Sequence, residues 1–164
     1  MKVSSLYPEV VKWLNRYLKD RHSRCEVEVY DTRKINLSDI ILKNNIYKFF
    51  PAYDTFKFKI NITAFIKSEK AVKLVFLECK LKPMTLKDIG PLLGYSMIAK
   101  PEYSLLISPE GLSDSLSTLL RTFGRYDILE YDRGKRIRIA QWNADRKEID
   151  SSTLLPPGEF IHPK

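Results

Sequence analysis

Two apolar stretches of the sequence decide the fold: residues 56–66 have the sequence FKFKINITAFI, and residues 72–80 have the sequence VKLVFLECK. In the first stretch, apolar residues alternate with lysine, asparagine and threonine, which is the period of a long strand with one polar face. The second stretch is apolar on both faces until Glu78 and Lys80, which is typical of a central strand covered by helices on both sides. We therefore predict two strands at the centre of a sheet.

Periodic patterns around these stretches predict helices and shorter strands. Residues 5–20 place Leu6, Val10, Leu14 and Leu18 four positions apart, which is the apolar stripe of an amphipathic helix. Further helices are predicted over residues 38–44, 85–99 and 113–123, further strands over residues 25–30 and 103–107, and a terminal hairpin over residues 126–142. Together these elements predict an α/β fold in which a central mixed β-sheet is flanked by helices on both faces.

The length of 164 residues fits a single domain. Residues 1–150 hold all the predicted elements, and residues 151–164 are predicted to form an extended C-terminal tail that contains three prolines. No stretch approaches the roughly 18 consecutive apolar residues of a membrane span. The first 18 residues carry charge throughout, where a secretory signal needs an apolar segment. We predict a cytoplasmic protein with no membrane contact.

The charge of the chain favours a polyanionic partner. Lysine and arginine number 28 against 20 aspartates and glutamates, a formal net charge of +8, so DNA is the first candidate partner. The alternative is that the positive charge serves solubility. The basic residues predicted to contact nucleic acid are Lys57, Lys59, Arg133, Lys135, Arg136 and Arg138. The last four would equally suit a solvated hairpin.

The sequence lacks the residues that several classes of catalytic or metal site require. The two cysteines are too few for a disulfide framework or a structural zinc site. The two histidines give poor support to a histidine-based triad, and the glycines never approach the spacing of a phosphate-binding loop. What remains is Asn61 on one predicted strand and Glu78 and Lys80 on the other. Because side chains alternate along neighbouring strands, we expect all three to converge on one face at the rim of the sheet.

The order of these elements resembles the core of the PD-(D/E)XK nuclease superfamily, which has a restriction-endonuclease-like fold and includes archaeal Holliday-junction resolvases. That core is a helix, a strand hairpin that carries an acid and then an acid-x-Lys, followed by a helix, a strand and a helix. Glu78-Cys79-Lys80 matches the acid-x-Lys, and the resemblance covers residues 5–107. It implies a phosphodiester hydrolase of DNA that uses Mg²⁺ or Mn²⁺ and that pairs as a homodimer to cut both strands.

The resemblance also assigns roles to individual residues. It implies metal ligation by Glu78, by Asn61 at the position of the family's aspartate, and by Glu9 of the first helix. Lys80 would position or activate the attacking water. Tyr95 matches the tyrosine of a Gln-x-x-x-Tyr pattern that some exonuclease-like members carry in the next helix, where it would contact nucleic acid.

Two departures from the family pattern bear on catalysis. Asn61 lacks the negative charge of an aspartate, and magnesium prefers carboxylate oxygens, so its binding is weakened. Pro91 replaces the glutamine of the Gln-x-x-x-Tyr pattern, and proline suits the predicted helix only in its first turn. Two functions therefore stay open: a magnesium-dependent DNA nuclease, and a catalytically inactive nuclease-fold module for DNA binding or assembly.

Each candidate residue has a structural alternative. Glu78 and Lys80 would also suit a salt bridge on one strand face. Asn61 would also suit the polar side of an edge strand. Glu9 would also suit a first-turn acid that complements the helix dipole, and Tyr95 would also suit the core.

Overall fold

The computed structural model describes residues 3–158 of the chain. The helices are α1 (Val3–Arg21), α2 (Leu37–Lys43), α3 (Leu86–Ala99) and α4 (Asp114–Ser117). The strands are β1 (Glu26–Asp31), β2 (Ile62–Lys67), β3 (Val72–Cys79), β4 (Tyr103–Ser108), β5 (Glu130–Asp132), β6 (Lys135–Arg136), β7 (Arg138–Asn143) and β8 (Glu148–Leu155). Among these residues, no helix is both long enough and apolar enough to cross a membrane.

Six strands form one mixed sheet in the order β1-β2-β3-β4-β7-β8. The first three strands pair antiparallel, β3, β4 and β7 run parallel, and β8 is antiparallel to β7. The short strands β5 and β6 form a separate hairpin. This topology confirms the predicted α/β fold with a central mixed sheet.

Helices cover the two faces of the sheet, as the apolar pattern of β3 predicts. Val75 and Leu77 pack toward α1, and Leu74 and Phe76 pack toward α2, α3 and α4. Because successive side chains of a strand point to opposite faces, this one strand contributes to both halves of the core. On the α1 side, the ring of Trp142 meets Trp13 edge to face.

The long strand predicted over residues 56–66 is shorter in the structure, where β2 begins at Ile62. Residues 56–60 instead serve the start of α2: the N–H groups of Leu37 and Ser38 donate to the carbonyls of Phe58 and Phe56. Those carbonyls therefore satisfy helix donors that have no partner within the helix. As a result, the lysines of this stretch lie in an irregular segment beside the sheet.

The structure also corrects the expectation for Pro91, which is the sixth residue of α3 and not part of its first turn. The helix begins at Leu86, close to the predicted start, because Thr85 and Asp88 form a capping box there. A proline at this position removes one hydrogen bond of the helical ladder. The apolar residues Ile89 and Leu92 on either side of it are buried and anchor the helix to the sheet.

The C-terminal part of the described chain differs from the predicted extended tail. Residues 151–155 complete β8, whose Leu154 and Leu155 are buried, so the sheet gains an edge strand there. Within the predicted hairpin over residues 126–142, only β5 and β6 pair with each other. β7 pairs with β4 of the central sheet instead. The rest of the predicted tail, residues 159–164, lies outside the described residues.

Candidate functional site

The candidate site lies where β2 begins and β3 ends. Ile62 pairs with Leu77, so the next pair along the two strands is Asn61 and Glu78. The backbone N–H of Asn61 donates to Oε1 of Glu78 at 3.2 Å, and the carbonyl of Asn61 accepts from the N–H of Thr32 at 2.9 Å. The backbone of Asn61 is therefore held on both sides, and the structure brings it next to Glu78.

The side chain of Asn61 is bound within the protein. Its Oδ1 accepts one hydrogen bond from the N–H of Cys79 at 2.9 Å and another from the hydroxyl of Tyr7 at 3.1 Å. The Arg33 guanidinium lies 3.8 Å above the centre of the Tyr7 ring. A carbonyl oxygen has two lone pairs, and here both have a donor. The carboxamide therefore links α1 to the end of β3 through two hydrogen bonds.

Burial governs the ionisation of Glu78. Loss of water contact raises the pKa of its carboxyl group to about 7, although the N–H of Asn61 and the charge of Lys80 act in the opposite direction. The charge of Asp88 contributes to the same increase. A substantial fraction of Glu78 is thus protonated near neutral pH.

Replacing Glu78 by Gln is expected to stabilise the protein at high pH and to change little near pH 4.5. In the unfolded chain the carboxyl group loses its proton near 4.5, and in the folded protein it does so near 7. Between pH 4.5 and 7, Glu78 is protonated in the folded protein and ionised in the unfolded chain. The contribution of Glu78 to the free energy of unfolding therefore falls as the pH rises through this range. The full difference is about 3 kcal/mol. Gln cannot ionise and still offers an oxygen to the N–H of Asn61.

Chemical denaturation of both proteins across this pH range checks the expectation. A constant difference in the free energy of unfolding between Glu78→Gln and wild type at all pH values would contradict it. The Asp114→Asn variant, which makes the same kind of change on α4, is measured alongside as the control.

Lys80 and Asp88 form the wall of the site on the α3 side. Nζ of Lys80 lies 3.7 Å from Oδ1 of Asp88, whose Oδ2 accepts from the N–H of Thr85 at 2.8 Å. A cleft of about 340 Å³ opens between this pair and α1, where Leu6 and Tyr7 line its opposite wall. Lys82 also lines the cleft, which is thus bordered by two cations, one carboxylate and a tyrosine.

The three predicted residues lie around the end of the sheet and not on one face. Asn61 contacts α1 through Tyr7, whereas Lys80 contacts α3 through Asp88, and these helices pack on opposite faces. The difference arises because Asn61 precedes the first residue of β2. Its side chain is therefore not held to the alternation of the regular strand.

The donor set does not fit a magnesium ion. Mg²⁺ requires near-octahedral coordination by oxygens, chiefly carboxylates and water. The oxygen of Asn61 already accepts two hydrogen bonds, and Glu78 ionises only at about pH 7. Within the described residues, no three side chains of His, Cys, Asp or Glu come together as a metal site.

The structure places Glu9 away from these residues, which corrects its predicted role as a metal ligand. Its Oε1 lies 3.6 Å from Nζ of Lys147, in the turn between β7 and β8. Residues two apart on a helix point to nearly opposite sides, so Glu9 cannot share the side of α1 on which Tyr7 meets Asn61.

Tyr95 packs inside the fold. Its ring stacks on Phe58 with 4.3 Å between the ring centres and an angle of 2° between the planes. Both rings pack against the core on the α3 side of the sheet. One face of Tyr95 is therefore unavailable to a base, which argues against its predicted role as a nucleic-acid ligand.

The basic residues predicted to bind nucleic acid fall at two ends of the sheet. Lys135 pairs with Glu102, just before β4, whereas Glu78 lies opposite Leu106 near the end of β4. Four residues of strand separate these points by about 13 Å. Arg138 is half-buried and donates to the carbonyl of Pro156 at 2.7 Å. The six residues therefore do not form one patch, and their contact with nucleic acid stays a prediction.

Arg133 and Arg136 are exposed on the hairpin at the far end, and Lys57 and Lys59 are exposed near the candidate site. Further exposed lysines belong to the loops after β1 and β3 and to the first turn of α3. We call the lysines at this end of the sheet the basic rim: Lys34, Lys57, Lys59, Lys82 and Lys87. No ion pair links any of them to an acid in the described part of the chain.

Three residues of the site were missed by sequence reasoning: Tyr7, Arg33 and Asp88. Asp88 could have been found from the sequence, because an acid three residues after Thr85 indicates a capping box at a helix start. The start of a helix that follows the acid-x-Lys strand lies close to the end of that strand. Tyr7 lies at the edge of the apolar stripe of α1, and Arg33 lies in a turn. Neither position carries a sequence pattern that points to Asn61.

Comparisons with known proteins assign no family to the chain. No protein-family model matches it, and no curated protein matches it. A similar solved structure is the crystal structure of a protein of unknown function, AF1548, with a TM-score of 0.41 and 12% sequence identity. The match covers 87% of this chain and 61% of that one, so the chain spans about three fifths of that protein's length.

Proposed function

We propose that this protein has a nuclease-like fold with a degenerate magnesium site, and that it binds DNA without efficient hydrolysis. The observation that carries the proposal is the Asn61 carboxamide, whose oxygen accepts two hydrogen bonds where the resemblance places a metal-binding aspartate. Across the strand pair, burial keeps Glu78 partly protonated near neutral pH. A cation there would have to displace a proton and two hydrogen bonds. The cytoplasmic location, which is predicted from the sequence, and the homodimer, which the resemblance implies, belong to the same proposal.

The order of elements supports the nuclease-like fold within this proposal. α1 is followed by the antiparallel strands β1, β2 and β3, then by α3, β4 and α4. This order contains the helix, the hairpin of β2 and β3, and the following helix, strand and helix that the resemblance implies, with β1 and α2 added before the hairpin. Asn61 and Glu78-Cys79-Lys80 follow this order along the chain, whereas the contacts of Asn61 and Lys80 with helices on opposite faces of the sheet count against the resemblance.

The basic rim supports DNA as the partner. Its five lysines surround the end of the sheet that carries Asn61 and Glu78, and they are exposed. Lysines placed in this way bind phosphates as point charges and release the counterions of DNA, which favours binding without a preference for sequence.

A second candidate function is a magnesium- or manganese-dependent DNA hydrolase. The observation in its favour is Asp88, which lies close enough to Glu78 to raise the pKa of that carboxyl group. Asp88 would then supply the second carboxylate that Asn61 lacks. Against this, Oδ2 of Asp88 already caps α3 and Oδ1 pairs with Lys80.

The double variant Lys57→Ala/Lys59→Ala is expected to weaken binding to a DNA duplex by about tenfold at low salt. The slope of log Kd against log salt concentration should also decrease by about 2, because each lysine accounts for about one phosphate contact. The matched control is Lys12→Ala/Lys19→Ala, which removes the same charge from the exposed side of α1. Fluorescence anisotropy with a labelled duplex measures both effects.

An equal loss of affinity in the two double variants would mean that net charge alone drives binding, and the basic rim would be rejected as the binding surface. Wild-type protein that binds no DNA at low salt would refute the proposed function itself.

A further inference from the structure

A segment beside the basic rim combines aromatic and basic residues more densely than the rest of the chain. Residues 47–59, which we call the aromatic segment, have the sequence YKFFPAYDTFKFK. It contains six aromatic residues and three lysines, with Asp54 as its single acid. The segment connects α2 to β2 and includes two short 3₁₀ helices, Tyr47–Phe49 and Tyr53–Thr55.

The fold uses most of these aromatic rings but leaves Tyr47 at the surface. Phe56 is buried, and Phe49, Phe50 and Tyr53 pack against the core on the α3 side of the sheet. Tyr47 is 46% exposed. Its ring centre lies 5.7 Å from that of Tyr53, with the planes tilted by 39°, so a packed neighbour supports the exposed ring.

Three exposed lysines belong to the same segment as this ring. Lys48 is exposed, and its Nζ lies 5.3 Å from the ring centre of Phe49. Lys57 and Lys59 of the basic rim belong to the same segment and are also exposed. An apolar protein partner gains nothing from exposed lysines around an aromatic ring. A polyanion with accessible aromatic faces is complementary to both features.

We propose that the aromatic segment binds single-stranded DNA, with an unpaired base stacked on Tyr47 and the phosphates along Lys48, Lys57 and Lys59. This inference rests on the proposed function. Stacking requires a base whose face is free, and in a duplex both faces are covered by neighbouring pairs. The aromatic segment therefore distinguishes single strands from duplexes, whereas the basic rim alone binds both.

The Tyr47→Ala variant tests the inference, because the ring lies at the surface and its removal leaves the core intact. It is expected to weaken binding to a labelled oligothymidine strand by about tenfold. Binding to a duplex should remain within twofold of wild type. A strand of the same length made of abasic sites keeps the phosphates without the bases, so it should bind wild type as weakly as the oligothymidine binds Tyr47→Ala. The matched control is Phe123→Ala, which removes an aromatic ring that is 70% exposed outside the segment.

The outcomes separate this inference from the proposed function. Duplex binding by wild type with no single-strand binding refutes the inference and leaves the proposed function standing. Equal single-strand affinity of Tyr47→Ala and wild type also refutes it, as does equal affinity of wild type for the abasic and oligothymidine strands. A loss of the same size in Phe123→Ala would place the effect outside the aromatic segment and overturn it. No binding to either form of DNA refutes both.

Discussion

Replacing Asn61 by Asp is expected to create a divalent-cation site. The free energy of unfolding should rise by about 2–3 kcal/mol when Mg²⁺ or Mn²⁺ is present at about 100 times its Kd. One oxygen of the new carboxylate takes the place of Oδ1, so the hydroxyl of Tyr7 and the N–H of Cys79 keep their acceptor. The second oxygen takes the place of Nδ2, on a residue whose backbone N–H donates to Glu78.

Two neighbouring carboxylates repel each other until a cation binds to both, so the Asp variant should be less stable than wild type in the absence of metal. DNA hydrolysis with Mg²⁺ or Mn²⁺ is expected to appear in the same variant, since the site then has two carboxylates, and Lys80 lies close enough to Glu78 to lower its pKa. Thermal unfolding with and without each metal measures the first effect, and a DNA cleavage assay measures the second.

Two controls accompany this variant. Asn61→Ala leaves the donors of Tyr7 and Cys79 without an acceptor, so it should destabilise the protein by the same amount with and without metal. The double variant Asn61→Asp/Glu78→Gln should lose the response to metal. If Asn61→Asp shows neither stabilisation by metal nor cleavage, Asn61 does not stand at a metal-ligand position, and the comparison with nucleases is wrong.

The affinity of wild-type protein for DNA is expected to fall by about 10²- to 10³-fold between about 50 and 200 mM salt. Each lysine of the basic rim that neutralises a phosphate releases condensed counterions, and five such contacts give a slope close to −4.5 in log–log form. Phosphate contacts do not read sequence, so unrelated duplexes should compete equally.

Anisotropy titrations at several salt concentrations give the slope directly. An affinity that hardly changes with salt would mean that contacts other than phosphate contacts dominate, which the exposed lysines of the rim do not explain. Strong preference for one duplex sequence would contradict the expectation in the same way.

The central strands could be predicted from the sequence because their residues obey a simple period. The apolar residues of 72–79 alternate between two buried faces, and β3 covers that range. A hairpin of two neighbouring strands brings the start of one next to the end of the other, which is why Asn61 and Glu78 are adjacent. Periodicity thus predicts which residues come close together in the sheet.

Periodicity does not predict where a side chain turns beyond the end of a strand. Residues 56–60 alternate as strictly as a strand, yet their carbonyls accept hydrogen bonds from the start of α2, a long-range requirement with no local pattern. Asn61 lies in this transition, and its carboxamide turns to α1. The role of Tyr7 depends on the rotation of α1 about its own axis relative to the sheet. The apolar stripe shows which side of the helix is buried but not the exact angle.

The same limit explains the errors at Glu9 and at the C-terminal strand. The sequence shows that Glu9 lies at the edge of the stripe but not at which edge, and its pairing with Lys147 depends on the distant turn between β7 and β8. Residues 151–155 have little periodicity of their own. They form β8 because β7 offers an unpaired edge and Leu154 and Leu155 become buried against it.

The most direct test of the account is a cleavage assay in which all of the DNA is bound. Wild-type protein in excess over labelled duplex, branched and single-stranded DNA is incubated at low salt with Mg²⁺ or Mn²⁺, and the products are separated on a denaturing gel. The account predicts that the bound DNA stays intact, while Asn61→Asp cuts it under the same conditions. Cleavage by wild-type protein that disappears in Glu78→Gln would contradict the account, because the site would then be an active nuclease centre with asparagine at position 61.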